Sequence, residues 1–136
     1  MLLNAHEVEW MLIGAYALAF HGVPRTTGGI DFLVRCSPEN SQRVFRALAA
    51  FGAPVSEVDP DYLAHYGNKF QVGVAPCRID LITQADGIRF EDIAPVMAEI
   101  DGLRIPVIPR DEFIRNKTAI GRYKDLADIE SLRDGA

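Results

Sequence analysis

Two acidic residues stand inside apolar stretches of the sequence and are the strongest candidates for chemistry. Asp31 precedes the run Phe-Leu-Val, and Asp80 lies within Arg-Ile-Asp-Leu-Ile. A carboxylate inside an apolar strand is costly to bury unless it is paired or binds a cation. If the two strands are neighbours, both carboxylates could hold one magnesium ion, which prefers carboxylate and phosphate oxygens. An equally open alternative is that each acid pairs with the arginine nearest to it in sequence, Arg25 or Arg78.

A glycine between an apolar run and an alanine-rich segment is the third feature. Gly14 follows the run Trp-Met-Leu-Ile and precedes Ala-Tyr-Ala-Leu-Ala-Phe. A glycine at a strand-to-helix turn lets a phosphate approach the backbone, and the helix start offers unpaired N–H groups to an anion. An ordinary turn also explains this glycine, so it indicates phosphate binding only together with the acids.

Strands and helices must position these residues, and they alternate along the chain. Apolar runs predict strands over residues 10–13, 30–34, 69–74, 78–83 and 103–108, with the third and fourth forming a hairpin. Helices are predicted over residues 15–20, from Ser37-Pro38 to about Gly52, over 90–99, and after Pro109. The buried side of the last helical region is predicted to comprise Phe113, Ile120, Leu126, Ile129 and Leu132. This interleaving, with one hairpin, predicts an α/β (α+β) fold with a mixed sheet flanked by helices.

The composition limits the class of protein. A chain of 136 residues with 49% hydrophobic and 24% charged residues is typical of one globular domain, here residues 1–136. The net charge of -5 argues against binding nucleic acid by bulk electrostatics, although six of the 14 basic residues fall within residues 110–136. No apolar run suits a membrane span, the start lacks the features of a secretory signal, and two cysteines do not indicate a disulfide scaffold. We therefore expect a cytoplasmic protein without a membrane partner.

The order of these motifs resembles the minimal nucleotidyltransferases, which include the AbiEii-like and toxin–antitoxin nucleotidyltransferases of the DNA polymerase β-like superfamily. The signature of that family is a glycine turn, His-Gly, Arg-x-Thr and an Asp-x-Asp strand, followed by a strand with a third acid. The matching positions here are Gly14-Ala15, His21-Gly22, Arg25-x-Thr27, Asp31 and Asp80, and the resemblance resumes over residues 111–117 and 121–129. It covers most of the chain and implies the nucleotidyltransferase fold.

The resemblance also implies roles for individual residues. Asp31 and Asp80 would be the catalytic acids and the ligands of Mg²⁺, while Gly14 and Ala15 would contact the triphosphate. Arg25 and Thr27 would brace the loop or touch phosphate, and bracing suits the Thr27 hydroxyl better. The positive charges expected to neutralise phosphate are those of Lys117, Arg122 and Lys124.

Spacing on the last helix bears on two of these lysines. On a continuous helix, Lys117, Gly121, Lys124 and Asp128 would share one face, with Lys124 and Asp128 at ion-pair spacing. A solvated ion pair is therefore as good an interpretation of Lys124 as contact with a ligand. Lys117 is the stronger candidate because Gly121 opens space beside it. His21 is interpreted as a helix-end residue that bonds free carbonyls rather than as a catalyst.

One position departs from the family pattern. Gly29 stands where the first acid of Asp-x-Asp is expected. Residues 29 and 31 of a strand face the same side, so the family spacing aims two carboxylates at one metal cluster. The loss of this ligand should weaken metal binding and catalysis, since two-metal phosphoryl transfer depends on bridging acids. It also predicts that Gly29→Asp would increase magnesium-dependent binding or transfer.

The function implied is magnesium-dependent transfer of a nucleoside monophosphate from a nucleoside triphosphate to an RNA or protein acceptor, impaired by Gly29. The alternative is a catalytically degenerate module of the same fold that binds a nucleotide or a partner. The chain has little room for a separate acceptor-binding domain, so a partner such as a cognate antitoxin, or a second copy in a homodimer, is expected to supply that surface.

Overall fold

The computed structural model of the chain describes residues 2–23, 28–74 and 78–134. Within these ranges the strands are β1 (Trp10–Ile13), β2 (Gly29–Val34), β3 (Lys69–Val72), β4 (Arg78–Ile82), β5 (Val96–Ile100) and β6 (Leu103–Val107). The helices are α1 (Leu2–Ala5), α2 (Gly14–Phe20), α3 (Pro38–Phe51), α4 (Arg110–Ile120) and α5 (Tyr123–Asp134). Two short 3-10 helices lie at Tyr62–Ala64 and Phe90–Asp92.

The strands form one mixed sheet in the order β3-β4-β2-β1-β6-β5. The pairs β2–β4 and β1–β6 are parallel, and the remaining pairs are antiparallel. This confirms the predicted mixed sheet and the β3–β4 hairpin, whose turn at residues 75–77 lies outside the described residues. The crossover between β2 and β4 places the two acid-bearing strands side by side.

Alternation along these strands separates a core face from a polar face. Phe32 and Leu81 are register partners on β2 and β4, and both are buried. Helix α3 covers this face, since its Phe45 packs edge-on against Phe70 of β3, 5.2 Å between ring centroids. Because successive side chains of a strand point to opposite faces, Asp31 and Asp80 project from the other side of the sheet.

Helix α3 begins and ends as the sequence predicts. The hydroxyl of Ser37 accepts a hydrogen bond from the Asn40 N–H at 3.1 Å, which caps the first turn. Gly52 ends the helix with a φ of 98°. The buried Asn40 amide also holds the helix to the sheet, because it donates to the carbonyl oxygens of Glu9 and Arg35.

The helix predicted over residues 90–99 is wrong. Only Phe90–Asp92 is helical, as a 3-10 turn, and Val96–Ile100 is strand β5, which forms a hairpin with β6. Pro95 cannot continue a helix. Asp101 and Gly102, with φ values of 52° and 78°, form the two-residue turn that an Asp-Gly pair favours between antiparallel strands.

The last helical region is two helices rather than one. Gly121 has a φ of 71° and ends α4, so the continuous face expected for Lys117, Gly121, Lys124 and Asp128 does not exist. Leu126, predicted to be buried, is 45% exposed on α5, whereas Phe113, Ile129 and Leu132 are buried as expected. Among the described residues, no helix combines the length and apolar character that a membrane span requires.

Candidate active site

Asp31 and Asp80 lie directly opposite each other on the parallel strands β2 and β4. Register partners share a face of the sheet, so the two side chains project to the same side. Asp80 is buried and Asp31 is half-buried. The two acids predicted from the sequence are therefore brought together.

The proximity of the two carboxyl groups changes the acidity of Asp31. Burial, the negative charge of Asp80 and a hydrogen bond between the two side chains raise the pKa of Asp31 from 3.8 to about 6. The positive charges of Arg78 and Lys117 lower this pKa but do not cancel the increase. Two carboxylates in contact cannot both ionise cheaply, and a cation placed between them would relieve the repulsion.

Arg78 pairs with the buried member of this acid pair. Its Nε lies 3.1 Å from Asp80 Oδ1, although the two atoms are not aligned as a hydrogen bond. The structure thus contains both arrangements at Asp80, which lies beside Asp31 and is also paired with an arginine. The arginine considered as the partner of Asp31 was Arg25, which lies outside the described residues.

The glycine turn at the start of α2 borders the acid pair. Gly14 has a φ of 72°, and a Cβ atom built at this position would overlap the Asp31 carboxylate. Ile13, the preceding residue, is the register partner of Asp31 on β1. The backbone at Gly14 and Ala15 consequently lies at the edge of the acid pair, as the phosphate-binding hypothesis requires.

Gly29 lies in a confined position at the start of β2. Its register partner is Arg78, and a Cβ at residue 29 would approach the Arg78 carbonyl oxygen to 2.5 Å. An acid at this position would therefore require the β4 backbone to move. Gly29 is more than a missing ligand, because the close approach of the two strands leaves no space for a side chain.

Lys117 is buried in an ion-pair cluster between the last two helices. Its Nζ lies 3.1 Å from Asp125 Oδ1 and 3.7 Å from Asp128 Oδ2. Asp125 is fully buried, and its partners hold the pKa of its carboxyl at about 2. Lys117 is near enough to the acid pair to lower the pKa of Asp31, but its ammonium group is already engaged by carboxylates.

The side-chain hydrogen bond from Arg122 is the largest single cause of the low pKa of Asp125. Its Nε donates to Asp125 Oδ2 at 2.7 Å, and its backbone N–H donates to the same oxygen at 3.2 Å. A carboxylate that reaches back to the residue before a helix caps the helix start.

Asp125 and Asp128 were not predicted as partners of Lys117. The i, i+3 spacing of these two acids indicates that they share one face of a helix. Their approach to Lys117 depends on the end of α4 at Gly121, which places them on a separate helix.

The remaining predicted residues are placed as follows. Lys124 is exposed on α5, and Asp128, its expected partner, pairs with Lys117. Arg25 and Thr27 lie outside the described residues. The Nε2–H of His21 donates to the Ile108 carbonyl at 2.8 Å, which ties the end of α2 to the end of β6.

The donor set at the acid pair suits one magnesium ion. Among the described residues, no hydrogen bond satisfies the buried Asp80 Oδ1, which Arg78 Nε approaches as an ion pair. Magnesium is commonly held by one or two carboxylates together with substrate phosphates and water. Among the described residues, no group of three or more His, Cys, Asp or Glu could hold a metal ion. The two carboxylates therefore fit a metal that arrives with phosphate ligands of its own.

Comparisons with known proteins identify the fold. A protein from Thermotoga maritima provisionally named a nucleotidyltransferase is 14% identical with a TM-score of 0.64, over 99% of this chain and 88% of that one. An antigenic nucleotidyltransferase-like protein from Paracoccidioides brasiliensis is 16% identical with a TM-score of 0.60, over 98% of this chain and 71% of that one. No family model and no curated protein matches the sequence. The chain has the nucleotidyltransferase fold, as predicted, whereas membership of the AbiEii-like or toxin–antitoxin group stays a prediction.

Proposed function

We propose that this protein transfers a nucleoside monophosphate from a nucleoside triphosphate to a hydroxyl group of an RNA or protein acceptor. The observation that carries the proposal is the register pairing of Asp31 with Asp80 beside the Gly14 turn. Paired carboxylates next to a backbone turn are what the binding of a triphosphate with a divalent cation requires. The nucleotidyltransferase fold supports the same reaction.

The reaction assigns different tasks to the two acids. The acceptor oxygen forms a bond to the α-phosphorus, the bond from that phosphorus to the β-phosphate oxygen breaks, and pyrophosphate leaves. Asp31 is the better group to accept the proton of the attacking hydroxyl, since it is half-buried beside the Gly14 turn, whereas Asp80 is buried. Asp80 is held by Arg78 and serves as a fixed negative ligand.

The chain's own residues supply the binding part of the mechanism. Asp31 and Asp80 would hold Mg²⁺, which when bound neutralises the triphosphate and favours loss of the acceptor proton. The backbone at Gly14 and Ala15 would receive the phosphates. Arg122 and Lys124 are exposed on the turn before α5 and on α5, and their charges would attract a polyanion, although Nε and Nη2 of Arg122 are bonded to Asp125. Lys117 is proposed to act on the site through its charge, because its ammonium group is paired with Asp125.

The acceptor, the partner and the location are proposed from the sequence. The resemblance to minimal nucleotidyltransferases supports an RNA or protein acceptor, with a cognate antitoxin or a second copy of the chain completing the surface. A cytoplasmic location would give the protein access to nucleoside triphosphates.

Transfer of label tests the proposal. The protein is incubated with each of the four α-labelled nucleoside triphosphates and magnesium, with total RNA or lysate protein as acceptor. Label should enter one acceptor class, and Asp31→Asn and Asp80→Asn should abolish transfer. Asp92→Asn, which removes an exposed acid of the 3-10 turn at Phe90–Asp92, should leave transfer unchanged. Equal labelling by the parent and Asp31→Asn would refute the assignment.

A second candidate is a nucleotide-binding module without turnover. The absence of an acid at Gly29 and the Arg78–Asp80 ion pair favour it, because both weaken metal binding at the acid pair. Calorimetry with ATP, GTP, CTP and UTP distinguishes the two functions when combined with the transfer assay. Binding without transfer identifies the module, whereas absence of binding excludes both functions.

A further inference from the structure

Arg78 lies beside the position in the acid site where the family pattern has a carboxylate. It is the register partner of Gly29 and precedes Asp80 by two residues, so the side chains at these positions share one face of the sheet. A Cβ at Gly29 would lie 3.1 Å from the Cβ of Arg78. The side chain in this part of the site is therefore a guanidinium group where the family pattern has an acid.

The net charge of the loaded site stays the same when a guanidinium group replaces one carboxylate and one magnesium ion. Three carboxylates with two magnesium ions carry one net positive charge. Two carboxylates with one guanidinium and one magnesium ion carry the same charge. A triphosphate needs this positive charge in its binding site, since burial of uncompensated anions is costly.

We infer that Arg78 is a phosphate-binding residue that replaces one metal ion and the acid that would hold it, so that the site takes a nucleoside triphosphate with one divalent cation. The inference rests on the proposed function and specifies its cation requirement. Arginine suits the role because its planar guanidinium binds phosphate oxygens through two parallel hydrogen bonds.

The placement of Arg78 leaves part of the guanidinium available. Its Nε is buried against Asp80, while the side chain as a whole is 38% exposed. The two outer nitrogen atoms extend beyond the buried Nε. Among the described residues, Asp80 is the carboxylate with which Arg78 forms an ion pair. A phosphate can therefore bind the outer nitrogens while Nε keeps Asp80 oriented.

The same contact makes Arg78 a competitor of a free metal ion. In the absence of nucleotide, a divalent cation at Asp80 must share that carboxylate with the guanidinium. Removal of Arg78 should strengthen binding of the cation alone but weaken binding of the nucleotide. These opposite effects separate the inference from a merely structural role, in which both affinities would fall together.

Two titrations on the full chain test the inference. Mn²⁺ alone is titrated by electron paramagnetic resonance, and the four nucleoside triphosphates are titrated by calorimetry in EDTA and in Mg²⁺. Arg78→Ala should bind Mn²⁺ several-fold more tightly than the parent and bind nucleotide in EDTA at least about tenfold more weakly. With a nonhydrolysable triphosphate, the parent should bind one Mn²⁺ ion per chain.

Matched variants control for charge and folding. Arg46→Ala removes the same charge from α3, on the opposite side of the sheet, and should change neither affinity. Arg78→Lys keeps the charge without the planar fork and should recover only part of the nucleotide affinity. Circular dichroism of each variant should match that of the parent.

The outcomes are distinct for the inference and for the proposed function. Two Mn²⁺ ions per chain, or unchanged nucleotide affinity in Arg78→Ala, would overturn the inference and leave the proposed function standing. If the parent binds no nucleotide, the proposed function fails, and the role of Arg78 in phosphate binding fails with it. The Mn²⁺ titration then still decides whether Arg78 competes for Asp80, since an unchanged affinity in Arg78→Ala excludes that competition.

Discussion

The backbone of Gly14 lies in contact with the carboxylate of Asp31. A methyl group at residue 14 would overlap Oδ2 of that aspartate, so the turn before α2 and the acid on β2 approach each other more closely than any other amino acid would permit. This contact joins the two features from which the sequence predicts phosphate chemistry. It places the start of a helix, where backbone N–H groups are unpaired, against the group expected to hold a metal ion.

Gly14→Ala should therefore cost more than an ordinary glycine substitution. The φ of 72° is unfavourable for alanine, and the methyl group must in addition displace Asp31. We expect a loss of about 2–4 kcal/mol in the free energy of unfolding, together with loss of nucleotide binding. Chemical denaturation and calorimetry measure the two effects.

Gly22→Ala is the matched control for this substitution. Gly22 has a φ of 101°, but no atom of the described residues lies within 4 Å of a Cβ built there. It should show only the backbone cost, about 1–2 kcal/mol. Equal destabilisation by the two variants would mean that the contact between Gly14 and Asp31 carries no energetic weight.

The raised pKa of Asp31 predicts how stability depends on pH. Between 3.8 and about 6 the folded state holds a proton that the unfolded state has released. The contribution of Asp31 to stability is therefore lost as pH rises through this window. Asp31→Asn, which cannot ionise, should gain stability relative to the parent from pH 4 to pH 6, with a constant difference above pH 7. Denaturation curves at each pH measure this difference, and a flat difference would contradict the raised pKa.

Metal affinity should change with pH in the opposite direction. A cation must displace the Asp31 proton below pH 6, so binding of Mn²⁺ should weaken about tenfold per pH unit there. Above pH 7 the affinity should be level, because Asp31 is already ionised. Titrations between pH 5 and pH 8 measure this slope, and an affinity that stays level down to pH 5 would exclude Asp31 as the titrating ligand.

Substitution of Lys117 should destabilise the protein rather than act only on ligand binding. Lys117→Ala leaves Asp125 and Asp128 buried without the ammonium group between them. Loss of one partner of a buried ion pair costs about 3–5 kcal/mol. Weaker triphosphate binding by Lys117→Ala would therefore not by itself assign Lys117 to the phosphate site, because the domain is destabilised at the same time.

A control and a double variant make this prediction specific. Lys124→Ala removes the same charge from an exposed position and should change stability by less than about 0.5 kcal/mol. The double variant Lys117→Ala/Asp125→Ala should lose less than the sum of the single losses, because the two residues interact directly. Additive losses would show that the ion pair is not energetically coupled.

Gly29→Asp should destabilise the protein and fail to build a second metal site. The new Cβ would lie 2.5 Å from the Arg78 carbonyl oxygen, so β2 and β4 must separate. We expect a loss of about 1–3 kcal/mol, as for overpacking of a core. Thermal denaturation and Mn²⁺ stoichiometry measure the outcome. A stable variant with increased metal binding would instead support the sequence-based expectation that Gly29 is only a missing ligand.

Local patterns predicted most elements of this fold. The cap at Ser37, the glycine ends and the apolar runs are short-range signals, and the helices and strands that they predict are present. The prediction over residues 90–99 is wrong because Pro95 interrupts the segment and the apolar residues after it belong to a strand. The Asp101-Gly102 pair is the local signal in the sequence for this hairpin.

The sequence alone determined which residues can carry chemistry, since acids within apolar strands and a glycine at a strand–helix turn are local features. The resemblance to nucleotidyltransferases joined them into one site. Tertiary structure decided the ion pairs of Arg78 with Asp80 and of Lys117 with Asp125 and Asp128, and it decided the raised pKa of Asp31. Ion pairing and pKa depend on the register of distant strands and on burial, and both are set only when the whole chain folds.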